Sequence, residues 1–182
     1  IRELAHHCPG TALAFSMHSH LVAAAVWRWR NGKPAEALLG RAAAEGLVLV
    51  STGATDWVDS NGEMRRVEGG YRVDARKAFA SGAPGAQLLI TSARHGSRVL
   101  HFALPFSAPG VRILDDWDTL GMRGTGSNTV VFEDVFVPDA AISLERPRGE
   151  WHPARSATLA GALPILMSSY VGIAEAAAEL AR

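Results

Sequence analysis

Small hydroxyl side chains set beside glycine are the residues of this chain best suited to chemistry, and they gather in two short loops. The first is Val50-Ser51-Thr52-Gly53-Ala54-Thr55-Asp56, and the second is Lys77-Ala78-Phe79-Ala80-Ser81-Gly82. In the first, hydroxyls and a glycine let backbone N–H groups approach an anionic group or the edge of a polar ring. The same composition also describes an ordinary turn leaving a strand. In the second, Phe79 offers a π-face and Ser81 a hydroxyl, although a lone aromatic is commonly a core residue. Ala80-Ser81-Gly82 lacks the Gly-x-Ser-x-Gly spacing and the strand-to-helix setting of a nucleophile elbow, which argues against a serine hydrolase.

Other candidate groups carry less. His6, His7 and Cys8 have no second pair nearby, whereas a structural zinc site needs four ligands. His18 and His20 are two apart and point to different sides of a helix, so they read as surface or packing histidines. Asp115-Asp116-Trp117-Asp118 lacks the ligand count and spacing of a calcium loop and reads as a solvated turn. No metal site is expected. Arg123 reads either as a charge near a ligand or as a structural arginine.

These loops must be held by elements legible from pattern. Residues Ile1 to Cys8 read as the last turns of a helix broken at Pro9-Gly10, with Thr11 as the N-cap of a second helix reaching Trp29. Asn31-Gly32-Lys33-Pro34 stops it, and Ala35 to Glu45 forms a further helix closed by Gly46. From Leu47 the texture changes to short strands with turn signals, notably Asn61-Gly62 and Gly69-Gly70 as hairpins. Strands are expected at Gln87–Ala93, Val99–Leu104 and Val111–Leu114. A glycine-punctuated loop, Gly121 to Asn128, then opens a strand ending at Pro138, where a dinucleotide fingerprint would open a helix. A Rossmann reading fails there. Arg146-Pro-Arg-Gly149 reads as a linker, and a last helix from about Ala154 must start near, or kink at, Pro164.

Composition narrows the class. Of 182 residues, 48% are hydrophobic and 20% charged, which fits a globular protein with one good core. Lys plus Arg equals Asp plus Glu at 18 each, so no overall field favours nucleic acid or an anionic membrane. One cysteine excludes an internal disulfide, no apolar run reads as long enough to span a bilayer, and a cytoplasmic location is the default. The chain opens on Ile1 and stops within an alanine-rich helix, so it reads as a piece of a longer polypeptide.

The stretch Leu120-Gly-Met-Arg-Gly-Thr-Gly-Ser-Asn-Thr-Val-Val-Phe-Glu-Asp-Val-Phe-Val-Pro138 resembles the end of the central β-domain of the acyl-CoA dehydrogenase family. There Leu-Gly-x-Arg-Gly-(Ser/Thr) leads into Val-x-Phe-x-(Asp/Glu)-Val-x-Val-Pro. The resemblance implies an α+β fold in which a small β-barrel or sandwich lies between helical segments. On that reading, 1–46 ends a helical domain, 47–142 is the middle β-domain, and 150–182 begins another helical domain. Ser51 and Thr55 stand in the family's Thr-Glu-Pro-x-x-Gly-Ser-Asp loop, which meets the flavin pyrimidine edge and pyrophosphate; the Glu-Pro pair is absent here. Phe79, Ala80 and Ser81 stand in its Lys-x-Trp-Ile-Thr-Asn loop, with Phe79 covering the flavin and Ser81 bonding flavin N5.

The resemblance therefore implies FAD, an acyl-CoA or related small-molecule substrate, and an electron acceptor or flavin reductase. It also implies assembly into dimers or tetramers. The family's general base has no counterpart here: Leu163 stands where the family usually has an arginine, Ala162 where some members place the glutamate, and the commoner position of that glutamate is expected beyond Arg182. Three readings stay open: α,β-dehydrogenation of an acyl-CoA, a flavin-dependent monooxygenase of the same fold, and a non-catalytic interaction module.

Overall fold

The computed structural model describes residues 1–53, 56 and 58–182. Three helices come first: α1 (Arg2–His7), α2 (Pro9–Arg30) and α3 (Glu36–Glu45). Proline occupies the first position of α2, where its missing N–H leaves no bond unmade. Thr11 thus lies inside the first turn rather than capping the helix as expected, and its hydroxyl instead meets Cys8 Sγ at 2.9 Å.

Eight strands follow: β1 (Leu49–Ser51), β2 (Glu63–Val67), β3 (Gly70–Lys77), β4 (Leu88–His95), β5 (Arg98–Pro105), β6 (Val111–Ile113), β7 (Val130–Pro138) and β8 (Ile142–Pro147). They form one mixed sheet in the order β6-β7-β3-β2-β4-β5-β8, with β1 alongside β4. Val73, Leu89, Leu100, Phe102, Val130 and Phe132 share one buried core, with Val111 of β6 and Ile142 of β8 packed on it. Both ends of the sheet reach that core, so the sheet curls around it as the barrel-like expectation required.

Three local expectations are corrected. Gly69-Gly70 does turn β2 into β3, but Asn61-Gly62 closes no hairpin, because β1 pairs in parallel with β4 rather than with β2. Gly62 instead passes tightly over β3: with φ of 96°, a Cβ there would lie 2.5 Å from Ala75 Cβ. The segment read as a linker at Arg146 belongs to β8, which pairs antiparallel with β5. The two short apolar runs before Pro138 are one strand, β7, interrupted by a bulge where Asp134 takes φ of 51° and its N–H donates to Asp74 Oδ1.

The last helix, α4 (Pro153–Leu180), continues through Pro164 for 28 residues. By length and composition it is apolar enough to cross a membrane, which corrects the expectation that no such run exists. Pro164, expected near the start of this helix or at a kink, lies inside it. In the fold α4 packs on α1 and α2, with Ala162, Ser169 and Gly172 buried at the contact.

Candidate functional site

Strand β5 pairs along the whole of β4, so β1 and β2 must share the other edge of β4 end to end. Between them the chain leaves the sheet, and a buried polar cluster fills the break. Lys77 Nζ donates to Asp56 Oδ2 at 2.7 Å and to Ser60 Oγ at 3.1 Å. Ser60 Oγ lies 2.9 Å from Ser92 O on β4. Burial holds the Lys77 ammonium below its ordinary range, with Asp56 opposing the shift.

Two arginines grip the same loop from behind. Arg146 of β8 donates to Val58 O at 2.9 Å and Asp59 O at 3.0 Å. Arg155 of α4 donates to Gly53 O and Asp56 O, each at 2.9 Å. Arg146 Nε also donates to His101 Nε2 at 3.0 Å, and burial with that neighbouring charge lowers the imidazole to about 4. Sequence reasoning marked Lys77 but not Arg146, Arg155 or His101. The alternation Ile142, Leu144, Arg146 was the available signal, since it sets Arg146 on one face of a strand.

Strand β3 ends at Lys77, and the chain then turns sharply. Phe79 adopts φ of 60°, a conformation uncommon for an aromatic residue, and its half-exposed ring meets Trp117 edge-on at 6.1 Å. The facing loop contains Met122 at φ of 58°, whose carbonyl accepts from Trp117 Nε1. Two strained non-glycine residues thus stand in abutting loops, a concentration expected of ligand-facing segments. Ala80 is fully buried, with its N–H donating to Asn128 O and its carbonyl accepting from Ala83 N–H. It shapes the turn and has no backbone donor left for a ligand. Gly82 N–H donates to Thr125 O at 2.8 Å, and Ser81 Oγ lies 2.8 Å from Ser127 Oγ.

Ser51 ends β1, partly exposed and with no side-chain hydrogen bond among the described residues. A methyl group built on Gly82 would lie 3.6 Å from Val50 Cγ2, so the Ser81 turn sits beside the end of β1. Thr55 lies outside the described residues. Arg123 is exposed and makes no ion pair among the described residues, and Asp116 accepts from Thr129 N–H at 2.8 Å, a turn contact. The donor set fits the flavin that the resemblance implies. It offers an outward aromatic face at Phe79 and hydroxyls at Ser51 and Ser81 for the heteroatoms of a ring edge.

One residue the sequence reading set aside joins this region. Leu49 N–H donates to His18 Nδ1 at 3.1 Å, so that nitrogen is an acceptor and the imidazole proton lies on Nε2. Burial lowers the pKa of His18, which favours the neutral ring. His18 lines a groove of about 390 Å³ with Phe15, Leu49, Val50 and Gly82, and also a second groove of about 540 Å³ between α2 and α3. No Asp or Glu is among the described residues lining the first groove. Only the docking of α2 on β1 reveals this, since nothing local to a histidine on a helix predicts its partner.

Residues 52–135 match the acyl-CoA dehydrogenase middle domain. Over its whole length the chain is 32% identical to an amino sugar nitrososynthase of Streptomyces peucetius, of which it covers 47%. It is 41% identical over 75 residues to the oxygenase subunit of a flavin-dependent monooxygenase from Rhodococcus jostii, a match covering 40% of this chain and 20% of that one. Among solved structures, KijD3 in complex with FMN and dTDP-3-amino-2,3,6-trideoxy-4-keto-3-methyl-D-glucose superposes with a TM-score of 0.86 at 28% identity, covering 99% of this chain and 47% of KijD3. The chain spans about half the length of the relatives it matches most fully.

Proposed function

Because this chain belongs to the acyl-CoA dehydrogenase family of flavoproteins, we propose that it is the flavin-facing part of a flavin-dependent monooxygenase that oxygenates an amine nitrogen. The observation that carries the reading is the groove beside the Ser81 turn, which is apolar, sugar-sized and lined by His18 but by no carboxylate among the described residues. An amine desolvated there is favoured in its neutral, nucleophilic form, which N-oxygenation needs; a carboxylate would favour the unreactive ammonium. Bound reduced flavin supplies two electrons and the site of dioxygen activation, with one oxygen atom passing to the substrate and the other leaving as water.

The chain's own residues position the reactants. Phe79 and Ser81 present a surface and a hydroxyl to the flavin ring, Ser51 faces its edge, and the Lys77–Asp56 cluster holds both loops to the sheet. His18 Nε2–H donates to an acceptor on the substrate. The substrate class is an amino sugar carried on a nucleotide, as in the KijD3 complex. The flavin is FMN or FAD, reduced by a separate reductase. Acyl-CoA dehydrogenation, first among the sequence-based readings, takes second place, because the relative matched over the whole chain at 32% identity is an amino sugar nitrososynthase.

The test supplies the purified protein with enzymatically reduced FMN, air and a dTDP-linked 3-amino sugar. The expected product has gained one oxygen atom on nitrogen. Absence of any oxygenated product, together with anaerobic bleaching of bound oxidised flavin by an acyl-CoA, would overturn the reading.

A further inference from the structure

Three hydroxyls stand in line behind the Ser81 turn. Thr125 Oγ1 lies 2.6 Å from Ser127 Oγ, which lies 2.8 Å from Ser81 Oγ. Each hydroxyl has one proton to give, and three hydroxyls joined by two bonds leave one proton to find an acceptor elsewhere. Thr125 is 2% exposed and Ser127 6%, and neither hydroxyl has another hydrogen-bond partner among the described residues. Were the line to run inward from Ser81, Thr125 would hold a buried proton with no acceptor. Were Ser81 and Thr125 both to donate to Ser127, then Ser127 would hold it. Either arrangement carries the penalty of an unmade buried hydrogen bond. Only the order Thr125 to Ser127 to Ser81 places the remaining proton on the partly exposed hydroxyl, where solvent or a ligand can accept it.

We propose that Thr125 and Ser127 are positioning residues that commit Ser81 to donate its hydrogen bond outward, so that the ligand atom it meets is an acceptor. This rests on the flavin reading above, with flavin N5 as that atom; in oxidised FMN, the form titrated below, N5 is unprotonated and accepts. The backbone supports the arrangement, because Gly82 N–H to Thr125 O and Ala80 N–H to Asn128 O hold the two segments in register on either side of the hydroxyl line.

The experiment compares FMN with 5-deaza-FMN, which carries C–H in place of N5 and cannot accept there. Affinities are measured by fluorescence titration of the purified protein, and stability by urea unfolding. The wild type should bind FMN about tenfold more tightly than the deaza analogue. Ser81→Ala should abolish that discrimination, and Thr125→Val should keep it. Ser81→Ala should also cost more stability than Thr125→Val, because it strands the Ser127 proton whereas valine at 125 strands none. The double variant Ser127→Ala/Thr125→Val empties the line without stranding a proton. It should stay folded but discriminate several-fold less, because nothing then holds the Ser81 hydroxyl. Wild-type discrimination in the double variant overturns the proposal, as does a greater stability cost for Thr125→Val than for Ser81→Ala. If the wild type binds neither flavin, the flavin reading fails, and a greater stability cost for Thr125→Val than for Ser81→Ala still overturns the hydroxyl line by itself.

Discussion

The side chain of Lys77 is 2% exposed and that of Asp56 5%, yet neither touches the groove lined by His18. Their role follows from position: Lys77 immediately precedes the turn carrying Phe79 and Ser81, and Asp56 lies on the loop that follows Ser51. The ion pair pins the two loops together across the break in the sheet. Removing one partner leaves a buried charge unmatched, which is far more costly than losing an exposed pair. Asp56→Asn should therefore destabilise the protein by about 3–5 kcal/mol in urea unfolding, and adding Lys77→Met should recover part of that loss. An Asp56→Asn cost comparable to an exposed pair, under about 1 kcal/mol, would mean that the pair does not hold the loops.

At the scale of elements, α4 is joined to α1 by a close approach of backbones. Gly172 of α4 lies so near α1 that a Cβ would come within 2.2 Å of Arg2 O and 2.9 Å of Ala5 Cβ. Arg2 Nε and His6 Nε2 both reach Glu175 one turn further on, at 2.8 Å and 3.2 Å. Gly172→Ala must push α1 away, with an expected cost of about 1–3 kcal/mol. Hydrogen exchange should quicken in α1 and in the second half of α4, while amides of β4 and β5 keep their protection. Equal acceleration in the sheet would show that helices and sheet open as one unit. Both helical faces also leave large apolar residues exposed, Phe15, Trp27 and Trp29 on α2 and Leu163, Met167 and Tyr170 on α4.

For the whole molecule, the partly buried imidazole of His101 links stability to pH. Its pKa is about 4 in the fold against 6.5 as the ordinary value, so between those limits the unfolded chain binds a proton that the folded chain refuses. Stability is therefore fully present above about pH 6.5 and declines as pH falls toward 4, by about 3 kcal/mol in total. Protonation would also set an imidazolium against the Arg146 guanidinium that now donates to it. Urea midpoints measured from pH 7 to 4 should fall steeply for the wild type. His101→Gln, which keeps an acceptor for Arg146 but cannot titrate, should fall less over the same range. Parallel curves for the two proteins would remove His101 as the cause.

Local rules acting on the sequence determined most of the elements. Helix stops at Asn31-Gly32 and Gly46, the Gly69-Gly70 hairpin, the strands from Leu88 to Pro138 and the Pro138 strand end all depend on neighbours a few residues apart. The Gly121–Pro138 stretch also carried the family, because a loop opening a strand and a terminal proline are features of order and spacing. What only the tertiary structure decided are the pairings between residues distant in sequence. The parallel pairing of β1 with β4 turned Asn61-Gly62 from a hairpin into a crossing point, and pairing with β5 made a buried strand residue of Arg146. The tautomer of His18 depends on an N–H 31 residues away, and the hydroxyl line on a serine 46 residues from Ser81. Spacing and composition register neighbours along the chain, whereas a hydrogen bond's direction depends on which groups the fold buries together.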